Sequence, residues 1–204
     1  MKMKNLIIIL CYLLISSGCI PITKKIYGIK NPDFESHEKI LNFQEHIGFG
    51  DIPYLGLKPE CWRDNQLFSM VDMFIFNAEG KYIPYRDTAK LYCNGPAEFF
   101  LSALNSETDY YISNEFTLST FMERLENPQC QPLAFENSNE IDFYIFMTYS
   151  TFSGKKIYKD KSTIWLDSLQ NNKQIRFKLY MVNEDLKDCW TPEQKSWLES
   201  NSNH

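Results

Sequence analysis

This 204-residue chain contains six cysteines, whose side chains could take part in several kinds of chemistry. A cysteine thiolate can act as a nucleophile, bind a metal ion or form a disulfide. Two of them, Cys11 and Cys19, lie in the first 19 residues. The other four are widely spaced and include no C-x-x-C pair: Cys61, Cys93, Cys130 and Cys189. This spacing argues against a locally encoded zinc site or redox dithiol. It favours one or two structural disulfides, or buried thiols.

The pairing of these four cysteines stays open at the level of sequence. Three full pairings are compatible with four cysteines. Because shorter loops close at a lower entropic cost, Cys61–Cys93 and Cys130–Cys189 are mildly preferred. A redox centre assembled from two of the four in the folded chain is the alternative.

The N-terminus carries the pattern of an export signal. Lys2 and Lys4 precede an unbroken apolar run of ten residues, Leu6–Ile15. A helix needs about 20 residues to cross a bilayer, so ten are too few to span it and suit the apolar core of a secretion signal. We therefore predict that residues 1–18 are removed on export.

The residues Ser16-Ser17-Gly18-Cys19 resemble the bacterial lipobox, in which a small residue precedes a lipidated cysteine. The resemblance implies a lipid anchor on Cys19. Ser16 stands where Leu is usual, a relaxed form similar to the lipoboxes of the Bacteroidota. Neither an Asp nor an acidic run follows Cys19, so we expect a cell-envelope protein on the periplasm-facing outer membrane. The alternative is an ordinary secretion signal with a coincidental cysteine.

Other catalytic and metal-binding patterns are weak. His37 and His46 are nine residues apart, which places them on opposite sides of a helix, and His204 is the last residue. We predict no metal site and no cofactor. G-x-S-x-G, phosphate-loop and dinucleotide motifs are absent, and Ser153 is expected to be a loop residue.

The charge of the chain excludes nucleic acid as a partner. The formal net charge is −5, and it becomes −7 once Lys2 and Lys4 leave with the signal. Lys24 and Lys25 follow the predicted anchor, but two charges aid membrane binding only weakly. Acidic side chains cluster late in the chain, where a solvated turn would explain them: Glu184, Asp185 and Asp188.

The first half of the chain predicts a tether and then mixed elements. Residues 19–33 are expected to be a tether that leads into a single α/β domain over residues 34–204, whose first helix runs from Ser36 to His46. Residues 51–64 look irregular. A hairpin and a helix follow over residues 68–104, with a turn at 77–80 and Pro84 placing the returning strand at a sheet edge.

The second half predicts a short helix and then a β-α-β unit. Thr117 begins a helix expected over residues 117–126, which Asn127-Pro128 ends. The β-α-β unit covers residues 141–183, and its helix is expected to bury Ile157, Ile164, Trp165 and Leu169. Such a unit implies parallel strands and a right-handed crossover. Thr191-Pro192 opens a terminal helix.

Four stretches together resemble a thioredoxin-like domain. The stretches IDFYIFMTYSTFSGKKIYKD (141–160) and RFKLYMVNED (176–185) resemble the strand, active-site loop, helix and next strand of that family. The hairpin MFIFNAEGKYIPY (73–85) and the helix NGPAEFFLSAL (94–104) are similar to its second half. They come earlier in the chain, so the resemblance implies a circularly permuted order. The combination also looks like thioredoxin-like lipoproteins of the Bacteroidota.

The departures from that family decide the expected chemistry. Where the family has C-x-x-C, this chain has Thr151-Phe152-Ser153-Gly154, and the cis-proline that precedes the hairpin is replaced by residues 69–72. Hydroxyls cannot replace a thiolate in disulfide exchange. We expect a membrane-anchored, non-catalytic binding or scaffold protein whose protein partner the sequence does not identify. The alternatives are a periplasmic thiol-disulfide oxidoreductase and an immunity or inhibitor lipoprotein.

Overall fold

The computed structural model describes residues 24–62, 71–85, 95–110, 112–135, 138 and 140–201. The predicted signal peptide, Cys19, Cys93 and His204 lie outside the described residues. So does residue 94, which was expected to cap the helix after the hairpin.

The described strands form a mixed seven-stranded sheet, which in spatial order consists of β5 (Ser113–Thr117), β4 (Lys81–Tyr82), β3 (Met73–Asn77), β7 (Phe143–Tyr149), β8 (Phe177–Asn183), β2 (Tyr54–Leu57) and β6 (Leu125–Glu126). Its centre is β7 (Phe143–Tyr149), every residue of which is buried. On one side β7 pairs in parallel with β8 (Phe177–Asn183), and on the other it pairs antiparallel with β3 (Met73–Asn77). A strand covered on both faces needs a continuous apolar sequence, which explains the composition of β7.

The predicted β-α-β unit is confirmed. Strands β7 and β8 align from Phe143 opposite Phe177 to Tyr149 opposite Asn183, and α4 (Lys155–Asn171) connects them. Trp165 and Leu169 are buried as expected, but Ile164 is 42% exposed and does not belong to the buried stripe. Tyr158 of the same helix has no exposed surface and belongs to the buried stripe instead of Ile164.

A strand that the sequence did not predict lies beyond β8. Residues 51–64 were expected to be irregular, but β2 (Tyr54–Leu57) is buried throughout and pairs in parallel with β8. β2 pairs antiparallel with β6 (Leu125–Glu126), which closes this side of the sheet. A 3-10 turn, Pro59–Cys61, follows β2.

The predicted hairpin forms, but its returning strand is not at an edge. β4 (Lys81–Tyr82) pairs with β3 on one side and with β5 (Ser113–Thr117) on the other. The strand ends before Pro84, so the missing amide hydrogen of proline does not limit its pairing. The edge position belongs to β5.

The predicted helices are present with corrected ends. Helix α1 (His37–His46) begins at Ser36, whose hydroxyl caps the amide of Lys39. Helix α3 (Leu118–Met122) is shorter than the predicted 117–126, because Leu125 belongs to β6. The remaining elements are α2 (Gly95–Ser102), α5 (Pro192–Asn201) and a small parallel sheet of β1 (Phe34–Glu35) with β9 (Leu186–Lys187).

The sheet separates two apolar clusters. Alternate residues of β7, such as Ile145 and Met147, point toward α1, α2 and α4, while Phe146 points toward α3. Phe121 of α3 packs on Phe146 with their ring centroids 4.9 Å apart. Among the described residues, no helix combines the length and apolar character needed to cross a bilayer.

Candidate functional site

The candidate site lies at the carboxyl ends of the parallel strands β7, β8 and β2, which all end on the same side of the sheet. In sheets with parallel strands this side is the usual place for ligands, because the connecting loops converge there. Three segments meet there: the loop Ser150–Gly154 after β7, residues 183–185 at the end of β8, and β1. The loop Thr151–Gly154, which the sequence resemblance aligned with an active-site loop but which lacks its cysteines, is therefore part of this site.

Asp185 organises the loop. Its carboxylate accepts the backbone amide of Thr151 at 2.9 Å and the Thr151 hydroxyl at 2.8 Å. It also accepts the side-chain amide of Asn183 at 2.7 Å. The Thr151 hydroxyl lies 3.2 Å from Oε1 of Glu35 as well, so β1 joins the same network. Charge-assisted hydrogen bonds of this kind are strong, and they fix the first residue of the loop.

The acidic cluster is not a solvated turn. Asp188 is exposed as expected, but Glu184 is only 6% exposed and Asp185 is fully buried. Burial raises the pKa of the Glu184 carboxyl well above its usual range, and the nearby charges of Asp185 and Asp72 raise it further. Burial also raises the pKa of Asp185, although hydrogen bonds from Asn183 and Thr151 oppose that rise. Both carboxyls therefore retain their protons to a higher pH than exposed carboxyls do.

The two serines of the loop, Ser150 and Ser153, are held inside the protein. Both side chains are buried, and their hydroxyl oxygens lie 2.5 Å apart. The backbone amide of Ser150 donates to the hydroxyl of Tyr158 at 2.8 Å. Burial raises the pKa of Tyr158, so its phenol stays protonated. In these contacts neither serine meets a histidine, so the arrangement does not resemble an activated nucleophile.

The two described histidines make separate contacts. The ring of His37 hydrogen-bonds the hydroxyl of Tyr54, and that of His46 bonds the carbonyl of Asn42 within its own helix. Burial is the main cause that raises the pKa of Tyr54, with a smaller effect from Asp185. Within the described part of the chain, no three His, Cys, Asp or Glu side chains are arranged to hold a metal ion.

Part of the predicted tether packs against the loop. Residues 24–27 form a helical turn, and the amide of Lys30 donates to the carbonyl of Phe152 at 2.7 Å. Gly154 has a φ of +81°, and a Cβ at this position would lie 1.9 Å from the carbonyl oxygen of Tyr27. Only glycine allows both this backbone conformation and this close approach. Residues 24–31 thus form a strap over the loop, and we call them the N-terminal strap.

A cavity of about 710 Å³ lies between the N-terminal strap, α1 and the loop. Among the residues that the structure describes, its charged lining consists of five lysines and two carboxylates: Lys25, Lys30, Lys39, Lys155, Lys156, Asp33 and Glu35. Lys39 of α1 pairs with Glu35 of β1, four residues earlier in the chain. The cavity is therefore basic, although the protein as a whole is acidic.

The described cysteines lie outside the loop. Cys130 and Cys189 form a disulfide with their Cα atoms 5.9 Å apart, one of the two pairs preferred from loop length. Cys61 lies in the 3-10 turn after β2, and its preferred partner Cys93 is outside the described residues.

A second buried charge network lies next to the site, because Lys187 belongs to β9, which pairs with β1. The ammonium of Lys187, which is 1% exposed, pairs with the carboxylate of Glu126. The indole of Trp190 donates to the same carboxylate at 2.7 Å. Burial lowers the pKa of Lys187, and Glu126 opposes that change. A Cβ on Gly56 would lie 2.0 Å from this ammonium, so glycine in β2 leaves room for it.

Comparison with known proteins adds no identity. No protein family model, no curated protein and no solved structure matches this chain. The function must therefore be inferred from the residues and the geometry alone.

Proposed function

We propose that this protein is a membrane-anchored lipoprotein whose thioredoxin-like domain binds or scaffolds rather than catalyses. One observation carries the proposal. The loop between β7 and α4, where that family places two reactive cysteines, contains hydroxyls held in hydrogen bonds to Asp185 and to each other.

The strand arrangement supports a thioredoxin-like domain. The resemblance implies a β-α-β unit with a hairpin paired antiparallel to its first strand and a helix after the hairpin. Here β7, α4 and β8 are the unit, β3 and β4 are the hairpin, and α2 follows. Because the hairpin precedes the unit in the chain, the order would be circularly permuted. The termini of a domain can be moved in this way when the new ends lie in surface loops.

The chemistry of the loop supports a non-catalytic role. Disulfide exchange needs a thiolate that attacks and a second thiol that resolves the mixed disulfide. A threonine hydroxyl cannot form an anion at neutral pH, and that of Thr151 already donates to a carboxylate. The N-terminal strap contacts the backbone of Phe152 and Gly154, which further occupies the loop.

The anchor is proposed from the sequence. The lipobox-like residues Ser16–Cys19 and the short apolar run before them support lipid on Cys19 and a place in the periplasm-facing outer membrane. Metabolic labelling with radioactive palmitate tests this directly. Wild-type protein should take up label and Cys19→Ala should not. Recovery of mature protein that retains Met1 would contradict the anchor.

An insulin-reduction assay tests the absence of catalysis. In this assay dithiothreitol reduces the insulin disulfides, and the reduced insulin precipitates. Adding the protein purified from membranes should not make the insulin precipitate faster than it does with dithiothreitol alone. Turnover well above that background would contradict the proposal and support the oxidoreductase alternative. The variant Cys130→Ser/Cys189→Ser is the matched control, because loss of any such turnover in it would assign the activity to that disulfide.

A further inference from the structure

We propose that the basic cavity face is a docking surface for an anionic phospholipid bilayer, which fixes the orientation of the domain on its membrane. This inference rests on the proposed lipid anchor at Cys19. The surface consists of Lys25, Lys30, Lys155, Lys156 and the side chain of Ile26, and we call it the basic face.

Folding gathers charges that are distant in the sequence. Lys25 and Lys30 lie on the N-terminal strap, whereas Lys155 and Lys156 open α4, yet all four line one cavity. Their placement is fixed by contacts: the strap bonds the carbonyl of Phe152, and the Lys156 ammonium lies 5.5 Å from the centre of the Tyr27 ring.

Few negative charges oppose the lysines of this face within the described part of the chain. Lys39 and Glu35 pair with each other, so they largely cancel. Asp33 is the other carboxylate in the lining, and its Oδ1 accepts the amide of Phe34. A positive face on a protein of net charge −5 is complementary to an anionic surface and unlike the rest of the molecule.

The predicted anchor point places this face near the bilayer. Lys24 follows Cys19 by five positions in the sequence, and an extended chain of five residues spans at most about 18 Å. The strap that bears Lys25 and Lys30 begins where this short connection ends. A neutral partner would not require this charge, whereas a single lipid attachment is commonly reinforced by a basic patch.

An exposed apolar side chain lies among the lysines. Ile26 is 57% exposed and has a lysine on one side and Tyr27 on the other. Lysines at the headgroup level with one aliphatic side chain between them are typical of a surface that rests on the bilayer interface. The basic face therefore combines the two features that such contact needs.

Lysine footprinting on vesicles tests the orientation. Full-length protein purified from membranes is reconstituted into phosphatidylcholine vesicles with or without 30% phosphatidylglycerol (a probe composition of about one anionic lipid in three). Acetylation rates of individual lysines are then read by mass spectrometry. Each lysine near an anionic surface changes the ratio of docked to undocked protein roughly fivefold. With phosphatidylglycerol, acetylation should therefore slow by at least that factor at the four lysines of the basic face, Lys25, Lys30, Lys155 and Lys156. High salt should reverse the effect.

Matched charge-reversal variants separate docking from net charge. The variant Lys25→Glu/Lys30→Glu/Lys156→Glu should lose the slowed acetylation of Lys155. The control Lys81→Glu/Lys173→Glu/Lys178→Glu has the same net charge as the first variant. Its positions lie at the opposite end of strands β7 and β8, near the hairpin turn and the start of β8, so it should retain the protection. Equal acetylation on both vesicle types, or loss of protection in both variants, would overturn the inference.

The intact mass of the same preparation tests the anchor separately. If no lipid is found on Cys19, the proposed function fails at its anchor, but the protein can still be added to preformed vesicles. Sedimentation with phosphatidylglycerol vesicles alone would then retain the docking surface without the anchor. Absence of binding of this protein to phosphatidylglycerol vesicles would contradict the basic face.

Discussion

The carboxylate of Asp185 accepts both the backbone amide and the hydroxyl of Thr151, at 2.9 and 2.8 Å. The two residues are 34 positions apart, and each follows one of the two central parallel strands. The pair therefore connects the ends of β7 and β8 and sets the direction in which the loop leaves the sheet.

Removing this acceptor should loosen the loop. Asp185→Ala would leave the Thr151 amide and the Asn183 side chain without their buried partner. We expect a loss of about 2–4 kcal/mol in the free energy of unfolding, measured by urea denaturation. The exposed neighbour Asp188→Ala is the control and should change it by less than about 0.5 kcal/mol. A similar small effect for both variants would contradict the role given to Asp185.

Glu184 should make stability depend on pH. Burial raises its folded-state pKa, so the unfolded chain releases this proton first as the pH rises. Its contribution to stability is therefore complete below the ordinary glutamate pKa of about 4.3 and is lost as the pH passes through the raised folded-state value.

The variant Glu184→Gln cannot ionise and should not show that loss. We expect it to match wild type near pH 4 and to exceed it at pH 7.5 by on the order of 1–2 kcal/mol, measured by urea denaturation at each pH. Glu107→Gln, on the exposed surface, is the control and should follow the wild-type profile. Parallel profiles for wild type and Glu184→Gln would contradict a raised folded-state pKa for Glu184.

The buried pair Lys187–Glu126 should respond asymmetrically to substitution. Glu126→Gln leaves the ammonium without its counter-charge and should cost about 3–5 kcal/mol. The double variant Lys187→Met/Glu126→Gln removes both charges and should recover most of that loss in thermal denaturation. Because burial already lowers the pKa of Lys187, the deficit of the single variant should shrink as the pH rises toward 10. Equal instability of the single and double variants would contradict this account.

Gly154→Ala should release the N-terminal strap. The added methyl group would meet the carbonyl oxygen of Tyr27 at 1.9 Å, in a backbone conformation that already favours glycine. Hydrogen exchange at the amide of Lys30, which bonds Phe152, should accelerate roughly tenfold or more. Gly50→Ala is the control, because its Cβ would come no closer than 3.4 Å to Glu45. Unchanged exchange at Lys30 would show that the strap does not depend on this contact.

The sequence predicted those elements that have long, regular patterns. The apolar run of β7 and the spacing of Trp165 and Leu169 in α4 indicated a β-α-β unit, which the structure confirms. Strand β2 was missed because its four residues include Gly56 and lie between two prolines, a composition typical of loops. Its burial comes from its neighbours β8 and β6, and no local pattern records that.

The site was predicted only in part, for a similar reason. The loop Thr151–Gly154 was located from its position after an apolar strand. The acidic residues after β8 were expected to be solvated, since charged residues in a turn usually are. Asp185 is buried because its partner Thr151, whose hydroxyl also contacts Glu35, comes from an element that the chain brings together with it only on folding. The pair Lys187–Glu126, 61 residues apart, was missed for the same reason.

The parallel alignment of β7 and β8 gives the molecule two chemically different poles. The loops after both strands share the pole that bears the basic face. Phe143 and Phe177 begin the strands at the other pole, beside the hairpin turn at Asn77. If the basic face rests on lipid headgroups, the hairpin pole extends away from the membrane. A soluble partner arriving through the aqueous compartment would meet that pole first, so a search for interacting residues should begin with the turn at 77–80 and the chain around Asp142 and Arg176.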